Sequence, residues 1–353
     1  MKISIDRGIL LKALNHVQSV VERRNTIPIL SNVKIDANEK NISLIATDLD
    51  LEIIEFIDAN VSVSGSTTVS AHTLYDIVRK IPEESMIEME LNSNDQMEIK
   101  SGQSNFDLPC LPDEDFPEMS SGEMPCGFSI ESSDLARLID KARFAISTEE
   151  TRYYLNGIFL HLTEAHGRNF LTGVATDSHR LSSSSLEIDS SKFNSIILPR
   201  KTVFQLCSLL SESTDQLNMQ TSENKIKFTL GKIKLISKVI DGKFPDYKKV
   251  VPTDNKKILS VSSRDFINSI ERVASVSLDR KEGVRLLIEK DNVQLSVNSA
   301  NSGDGNEKIK AKFNDEKLNI SFNSKYLIEI ASEIEDKNMK MNFKDSTLSL
   351  IHI

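Results

Sequence analysis

Ile3-Ser4-Ile5-Asp6 alternates apolar and polar residues and then runs into Leu10, Leu14 and Val17, spaced four and three apart. The same change from period 2 to period 3.6 occurs twice more. Phe128-Ser129-Ile130-Glu131 leads into Leu135, Ile139 and Ala142, and Leu259-Ser260-Val261-Ser262 leads into Phe266, Ile270 and Val273. Each stretch reads as a short strand followed by an amphipathic helix, and the copies lie 125 and 256 residues after the first. A second helix after a strand recurs deeper in each copy, at Leu74, Tyr75 and Val78, at Val203, Phe204 and Cys207, and at Leu327, Ile328 and Ala331. Alternating segments such as Asn41 to Ala46, Met86 to Leu91 and Lys225 to Leu230 lie between and after them, bounded by turn residues.

Working outward, the repeat divides the chain into three similar domains, expected at 1–122, 127–252 and 258–353. Each is two strand-helix-three-strand halves, an α+β pattern in which helices cover one face of antiparallel sheets. The joins fall near Ser120 to Gly127 and near Pro252 to Lys257. After Gly102 and Gly231 the first two copies continue into a further alternating segment, whereas the third stops at Ile353, about where that glycine falls. The third domain is therefore expected to lack its last strand and to leave a neighbour unpaired.

With 353 residues the chain is too long for one ordinary core, in agreement with three domains. Apolar residues at 39% and charged residues at 27% exclude collagen-like, low-complexity and largely disordered chains. Cys110, Cys126 and Cys207 are odd in number and widely spaced, which argues against a disulfide framework or a zinc site and favours a reducing cytoplasm. No signal-like apolar run opens the chain and no stretch of about 18 apolar residues occurs, so secretion and membrane spanning are not expected.

The search for chemistry returns little. Phosphate-loop, dinucleotide, nucleophile-elbow and zinc-protease motifs are all missing, and the histidines show no ligand spacing, so neither cofactor nor metal is expected. Ala175-Thr176-Asp177-Ser178-His179-Arg180-Leu181 brings carboxylate, hydroxyl and imidazole together, and a hydrolase using Asp177 and His179 is the enzymatic alternative. Ala46-Thr47-Asp48 stands at the same place in the first copy without a histidine, so a shared structural turn is the simpler reading.

Charge placement says more. The net charge of −9 repels nucleic acid unless charge is segregated. Helical windows 7–20, 71–81, 134–146 and 200–210 carry +2, +1, +1 and +2, whereas 264–277 and 324–335 carry 0 and −2. Positive potential is thus expected on the helix side of the first two domains, from Arg79, Lys80, Arg137, Lys141, Arg200 and Lys201 among others; ordinary solvated helix faces are the alternative.

At Thr151-Arg152-Tyr153-Tyr154-Leu155-Asn156-Gly157, at Ala175 to Leu181 and at Asp241-Gly242-Lys243-Phe244-Pro245-Asp246-Tyr247 the chain resembles the bacterial DNA polymerase III beta sliding clamps. Ile27-Pro28-Ile29-Leu30 and Leu198-Pro199-Arg200-Lys201 extend the resemblance over nearly the whole length. It implies a head-to-tail homodimeric ring with helices lining the hole and sheets outside. Such a ring encircles duplex DNA without sequence preference and tethers the polymerase as a non-catalytic processivity factor. It implies DNA contacts at Arg24, Tyr153 and Tyr154, with the helix-borne basic residues named above as further candidates; the two tyrosines equally suit core or pocket wall.

For ring closure the resemblance implies Phe106 and Leu108 against Ser275 and Val276. Partner peptides from the polymerase catalytic subunit, the clamp loader and other clamp-binding proteins are implied to enter an apolar cleft between domains two and three. Its lining would be Leu155, Thr176, Ser178, His179, Arg180, Leu181, Pro245, Lys249 and Val250. Ser178 stands where the family usually has Gly and Lys249 where it usually has Arg. The family's C-terminal tail has no counterpart after Ile353, so a truncated clamp unable to bind partners normally is the second alternative.

Overall fold

The structure, a computed structural model, describes all residues except 24, 40, 121, 277–282, 300–301 and 347–353. The first third contains β1 (Lys2–Asp6), α1 (Arg7–Gln18), β2 (Asn32–Ala37), β3 (Asn41–Thr47), β4 (Leu51–Asp58) and β5 (Asn60–Val63). It continues with β6 (Gly65–Ser70), α2 (Ala71–Lys80), β7 (Met86–Leu91), β8 (Gln96–Ser101) and β9 (Ser104–Leu111). The second contains β10 (Cys126–Glu131), α3 (Ser132–Arg143), β11 (Gly157–Ala165), β12 (Arg168–Thr176) and β13 (Leu181–Ile188). Then come β14 (Ile196–Pro199), α4 (Arg200–Ser211), β15 (Gln216–Thr221), β16 (Lys225–Leu230) and β17 (Ile233–Lys238). The third contains β18 (Lys257–Ser262), α5 (Ser263–Ala274), β19 (Gly283–Glu289), β20 (Asn292–Ser299) and β21 (Gly303–Phe313), then β22 (Leu318–Asn323), α6 (Ser324–Ser332) and β23 (Asn338–Phe343).

This is the strand-helix-three-strand order read from the periodicity. The four-residue β5, which pairs with β1, is an addition that the repeat does not announce. The expectation of a missing last strand concerns residues 347–353 and beyond, which lie outside the described residues.

α1, α2, α5 and α6 begin where a polar side chain takes up their first free N–H groups. Asp6 Oδ1 accepts from Gly8 and Ile9 at 2.8 and 3.1 Å, and Ser70, Ser262 and Asn323 cap α2, α5 and α6 in the same way. Each such cap is worth about 1 kcal/mol. Glu131 and Pro199 before α3 and α4 provide no side-chain cap. The apolar stripes are buried: Leu10, Leu14 and Val17 on α1, Leu135 and Ile139 on α3, Phe266 and Ile270 on α5.

The chain forms two compact bodies, 1–243 and 244–353. In the second, one sheet runs β22-β19-β20-β21-β18-β23 and packs against α5 and α6. In the first, β17 pairs antiparallel with β4, Ile233 opposite Glu55 through Ser237 opposite Leu51, and thereby joins two domains into one 13-stranded sheet.

On the helix side of this joint a buried cluster crosses from one domain to the next. His16 Nδ1 lies 2.7 Å from Glu55 Oε2, and His16 Nε2 lies 3.1 Å from Glu212 Oε2. Burial draws the imidazole pKa down, but hydrogen bonds and charge from Glu55 and Glu212 outweigh it and raise it above 6.5. The cluster therefore contributes fully below that value, and its contribution is lost as pH rises through the raised one.

On the opposite face Phe116 packs with Ile29, Leu30 and Ile45, so the segment after β9 covers β2 to β4. Beneath it Glu52 is buried and accepts from Met119 N at 2.8 Å. Burial pushes its carboxyl up to about 7. The folded protein thus holds a proton that the unfolded chain releases near 4.5, and stability falls as pH rises from that value to about 7. Replacing Glu52 by Gln, which keeps an acceptor for Met119, is expected to leave stability at pH 5 nearly unchanged and to raise it at pH 8 on the order of 2 kcal/mol. Urea unfolding at the two pH values measures the difference.

Candidate nucleic-acid and partner interface

The Thr176–Leu181 turn is built by its own polar groups. Thr176 Oγ1 donates to Arg180 O at 2.7 Å and accepts from Ser178 N at 3.1 Å. Asp177 Oδ1 accepts from His179 N and Arg180 N at 2.9 and 3.0 Å, and its Oδ2 accepts from Arg180 Nε at 3.1 Å. The first domain repeats the arrangement: Thr47 Oγ1 donates to Leu51 O at 3.0 Å, and Asp48 Oδ1 accepts from Asp50 N and Leu51 N at 3.0 and 2.7 Å. The third turn residue has positive φ in both, 77° at Leu49 and 75° at Ser178, a left-handed conformation that glycine adopts without strain. The threonine and aspartate are therefore turn-formers, and the Asp177 oxygens serve backbone and Arg180.

Arg180 goes further. Its guanidinium donates to Phe144 O at 2.7 Å and lies 5.2 Å from the Phe144 ring centroid, placing a cation on the carbonyl end of α3. Ser182 Oγ donates to Lys141 O at the same end. Arg152 donates to Ser178 Oγ at 2.6 Å, which ties the turn to the 150–155 segment. Leu155 is buried there, and its carbonyl accepts from Ser147 N at 3.1 Å. The first body thus brings Leu155, Thr176, Ser178, His179, Arg180 and Leu181 onto neighbouring backbone. Pro245, Lys249 and Val250 belong to the second body, where Lys249 pairs with Asp246 at 3.1 Å and Val250 is exposed.

Tyr153 is exposed and Tyr154 half-buried, their rings edge to face at 5.8 Å. Gly242 lies against them: a Cβ there would stand 3.0 Å from Tyr154 Cβ. Arg24 lies outside the described residues. Of the helix-borne cations, Lys80 and Arg137 are exposed and make no ion pair among the described residues, and Arg200 is exposed with its guanidinium 5.3 Å from the Phe204 ring centroid. Arg79 pairs with Asp76 at 3.1 Å, and Lys141 is half-buried.

Lys201 is committed elsewhere. Its ammonium contacts Asp48 Oδ2, Glu22 Oε1 at 3.2 Å and Val20 O at 3.3 Å. Burial works against its charge, but Asp48 and Glu22 prevail and raise its pKa. It acts as a strut between the first two domains, a role that sequence spacing could not separate from phosphate binding. The His16 cluster was not read from sequence at all, because Glu212 lies 196 residues away.

Phe106 and Leu108 are half-buried on β9, partly packed on the core, and Ser275 and Val276 follow the end of α5. Among the described residues no three His, Cys, Asp or Glu side chains could hold a metal, and no helix is long and apolar enough to cross a membrane.

Residues 1–120, 129–246 and 248–352 match the models of the DNA polymerase III beta subunit N-terminal, central and C-terminal domains. The chain belongs to the DNA polymerase III beta subunit family. A beta sliding clamp of Caulobacter vibrioides is 42% identical over 98% of this chain and 94% of its own length. One of Pseudomonas aeruginosa is 34% identical over 100% and 96%. The solved clamp of Caulobacter crescentus matches with a TM-score of 0.96 at 42% identity, covering 98% of this chain and 93% of that one. A Bartonella birtlesii clamp bound to griselimycin matches at 0.95 and 44%, with coverages of 98% and 93%. Members of this family are sliding clamps, and the chain is a processivity factor of DNA replication, a non-catalytic polymerase subunit. The Asp177 and His179 hydrolase alternative falls with that membership.

Proposed function

We propose that two copies of this chain, each with domains at 1–122, 127–252 and 258–353, close head to tail around duplex DNA in the cytoplasm and keep a replicative polymerase on it. The observation that carries this reading is the match to all three beta subunit domains over nearly the full chain. Enclosure suits the charge pattern. A net charge of −9 cannot supply strong grip, whereas a few cations near phosphates give a weak, sequence-blind, salt-sensitive attraction that leaves the ring free to move.

Lys80, Arg137 and Arg200, exposed and without carboxylate partners among the described residues, are the first choice for those contacts. Arg24, Tyr153, Tyr154, Arg79 and Lys141 are next, and Lys201 contributes through the joint it holds. Ring closure is assigned to Phe106 and Leu108 with Ser275 and Val276. Recognition of peptides from the polymerase, the clamp loader and other clamp-binding proteins is assigned to Leu155, Thr176, Ser178, His179, Arg180 and Leu181 in the first body and to Pro245, Lys249 and Val250 in the second.

Assisted loading onto nicked circular and onto linear DNA tests the proposal. Retention on the circle and rapid loss from the linear duplex are expected; equal loss overturns enclosure. On linear DNA, replacing Arg137 or Arg200 by Ala is expected to lower the slope of log affinity against log salt by about 1 each.

A further inference from the structure

An imidazole has two ring nitrogens, and the neutral ring carries a hydrogen on only one of them. His16 presents both to carboxylates, Nδ1 at 2.7 Å from Glu55 Oε2 and Nε2 at 3.1 Å from Glu212 Oε2. Only the imidazolium, a donor at both nitrogens, satisfies the two contacts together. A neutral ring would set a lone pair against one carboxylate oxygen, in a site where His16 and Glu55 are both buried. Burial opposes the ring's charge, yet Glu55 and Glu212 raise its pKa above 6.5.

The two contacts differ in what surrounds them. His16 on α1 and Glu55 on β4 belong to the first domain, whereas Glu212 follows α4 in the second. Lys12 Nζ stands 3.5 Å from Glu212 Oε2, so this carboxylate has a second, exposed partner. A cavity of about 400 Å³ lies beside the ring, lined by Lys12, Asp58, Glu212, Asp215 and Lys232 among others, with Lys232 paired to Asp58 at 2.7 Å. β1, β3 and α2 pack against α1 through apolar side chains such as Ile5, Leu44 and Leu74, and His72 of α2 is engaged at Val21 O, 3.1 Å away. Gln205 of α4 donates to the His16 carbonyl at 3.3 Å and does not involve the ring.

The repeat shows what the ring replaces. Counting 125 and 256 residues on from His16 gives Lys141 and Arg272, both cationic throughout the neutral range. Arg272 holds Glu307 at 2.9 and 2.5 Å as His16 holds Glu55, and Glu307 faces Leu295 as Glu55 faces Leu44. Of the three bases, only the one at the joint between the first two domains changes charge near neutrality.

We infer that His16 is a proton-operated latch on that joint. With its proton, the ring ties Glu55 to Glu212 and holds the end of α4 against β4. Without it, the one remaining N–H stays with Glu55, the nearer and buried acceptor, and Glu212 turns away toward Lys12 and the cavity. The β17–β4 pairing is untouched, so the helix side of the joint loosens while the sheet stays whole. The latch lies within one chain and does not depend on closure of a ring by two copies.

Histidine NMR of the full chain follows the proton, the His16 signal being the one lost in His16→Gln or displaced in Glu212→Gln. Hydrogen exchange, corrected for the intrinsic effect of pH, follows the joint. Protection of residues 209–215 is expected to fall about tenfold from pH 6 to pH 9 with the midpoint of His16, while residues 233–238 on β17 keep theirs. Glu212→Gln is expected to lower the His16 midpoint and to abolish the change at 209–215, because Gln serves either ring form, accepting through its carbonyl or donating through its amide. Constant protection at 209–215 while His16 titrates overturns the latch, as does a loss shared with 233–238. A pH dependence that survives Glu212→Gln, or a His16 that does not titrate between these pH values, overturns it as well.

Discussion

Replacing Gly157 by Ala is expected to destabilise the first body by roughly 3 kcal/mol, the upper range for overpacking a closed site. Gly157 begins β11 opposite Pro199, and a Cβ would stand 2.2 Å from Leu198 O and 2.9 Å from Leu198 C, both backbone atoms of β14. No side-chain rotation relieves such a contact, so β14 must move. With it moves the start of α4, because Arg200 N donates to the neighbouring Asn156 O at 2.9 Å. The contrast is Gly167→Ala, where φ is +72° and nothing lies within 4 Å of the added carbon; there only the conformational cost of about 1 kcal/mol applies. Thermal unfolding of both variants measures the two effects. Equal shifts would mean that β14 yields freely.

The second large effect belongs to the seam. Phe106→Ala with Leu108→Ala is expected to raise the dimer dissociation constant about a thousandfold, or about 4 kcal/mol, at about 2 kcal/mol for each buried interface anchor. Both side chains already rest partly on their own core, so some loss of monomer stability accompanies the change. Sedimentation across a concentration series, with the thermal midpoint of the dilute protein as control, separates the two. An unchanged dimer constant would remove these residues from the interface.

Much of this was legible in the residues. The switch from period 2 to period 3.6 after Ile3, Phe128 and Leu259 appears as β1–α1, β10–α3 and β18–α5, because alternation and helical spacing are local consequences of backbone geometry. Thr47-Asp48 and Thr176-Asp177 could be matched by position, and their hydrogen bonds proved the same. β5 escaped notice because Asn60–Val63 is short and mostly exposed, with no buried side to mark it.

Long-range pairings were not readable. His16 among the apolar residues of α1 could have been suspected as buried, but its carboxylate partners depend on how two domains abut. The same is true of Lys201, which looks like any basic residue at a helix start until Asp48 and Glu22 are seen beside it. The residues assigned to peptide binding rest on resemblance and lie in two separate bodies, and no spacing rule links Leu155 and the Thr176–Leu181 turn to Pro245, Lys249 and Val250.

The β17–β4 ladder also sets how the first body answers to force. Rungs loaded along the strand direction give way together, so a force that slides the first domain along the second meets a stiff arm.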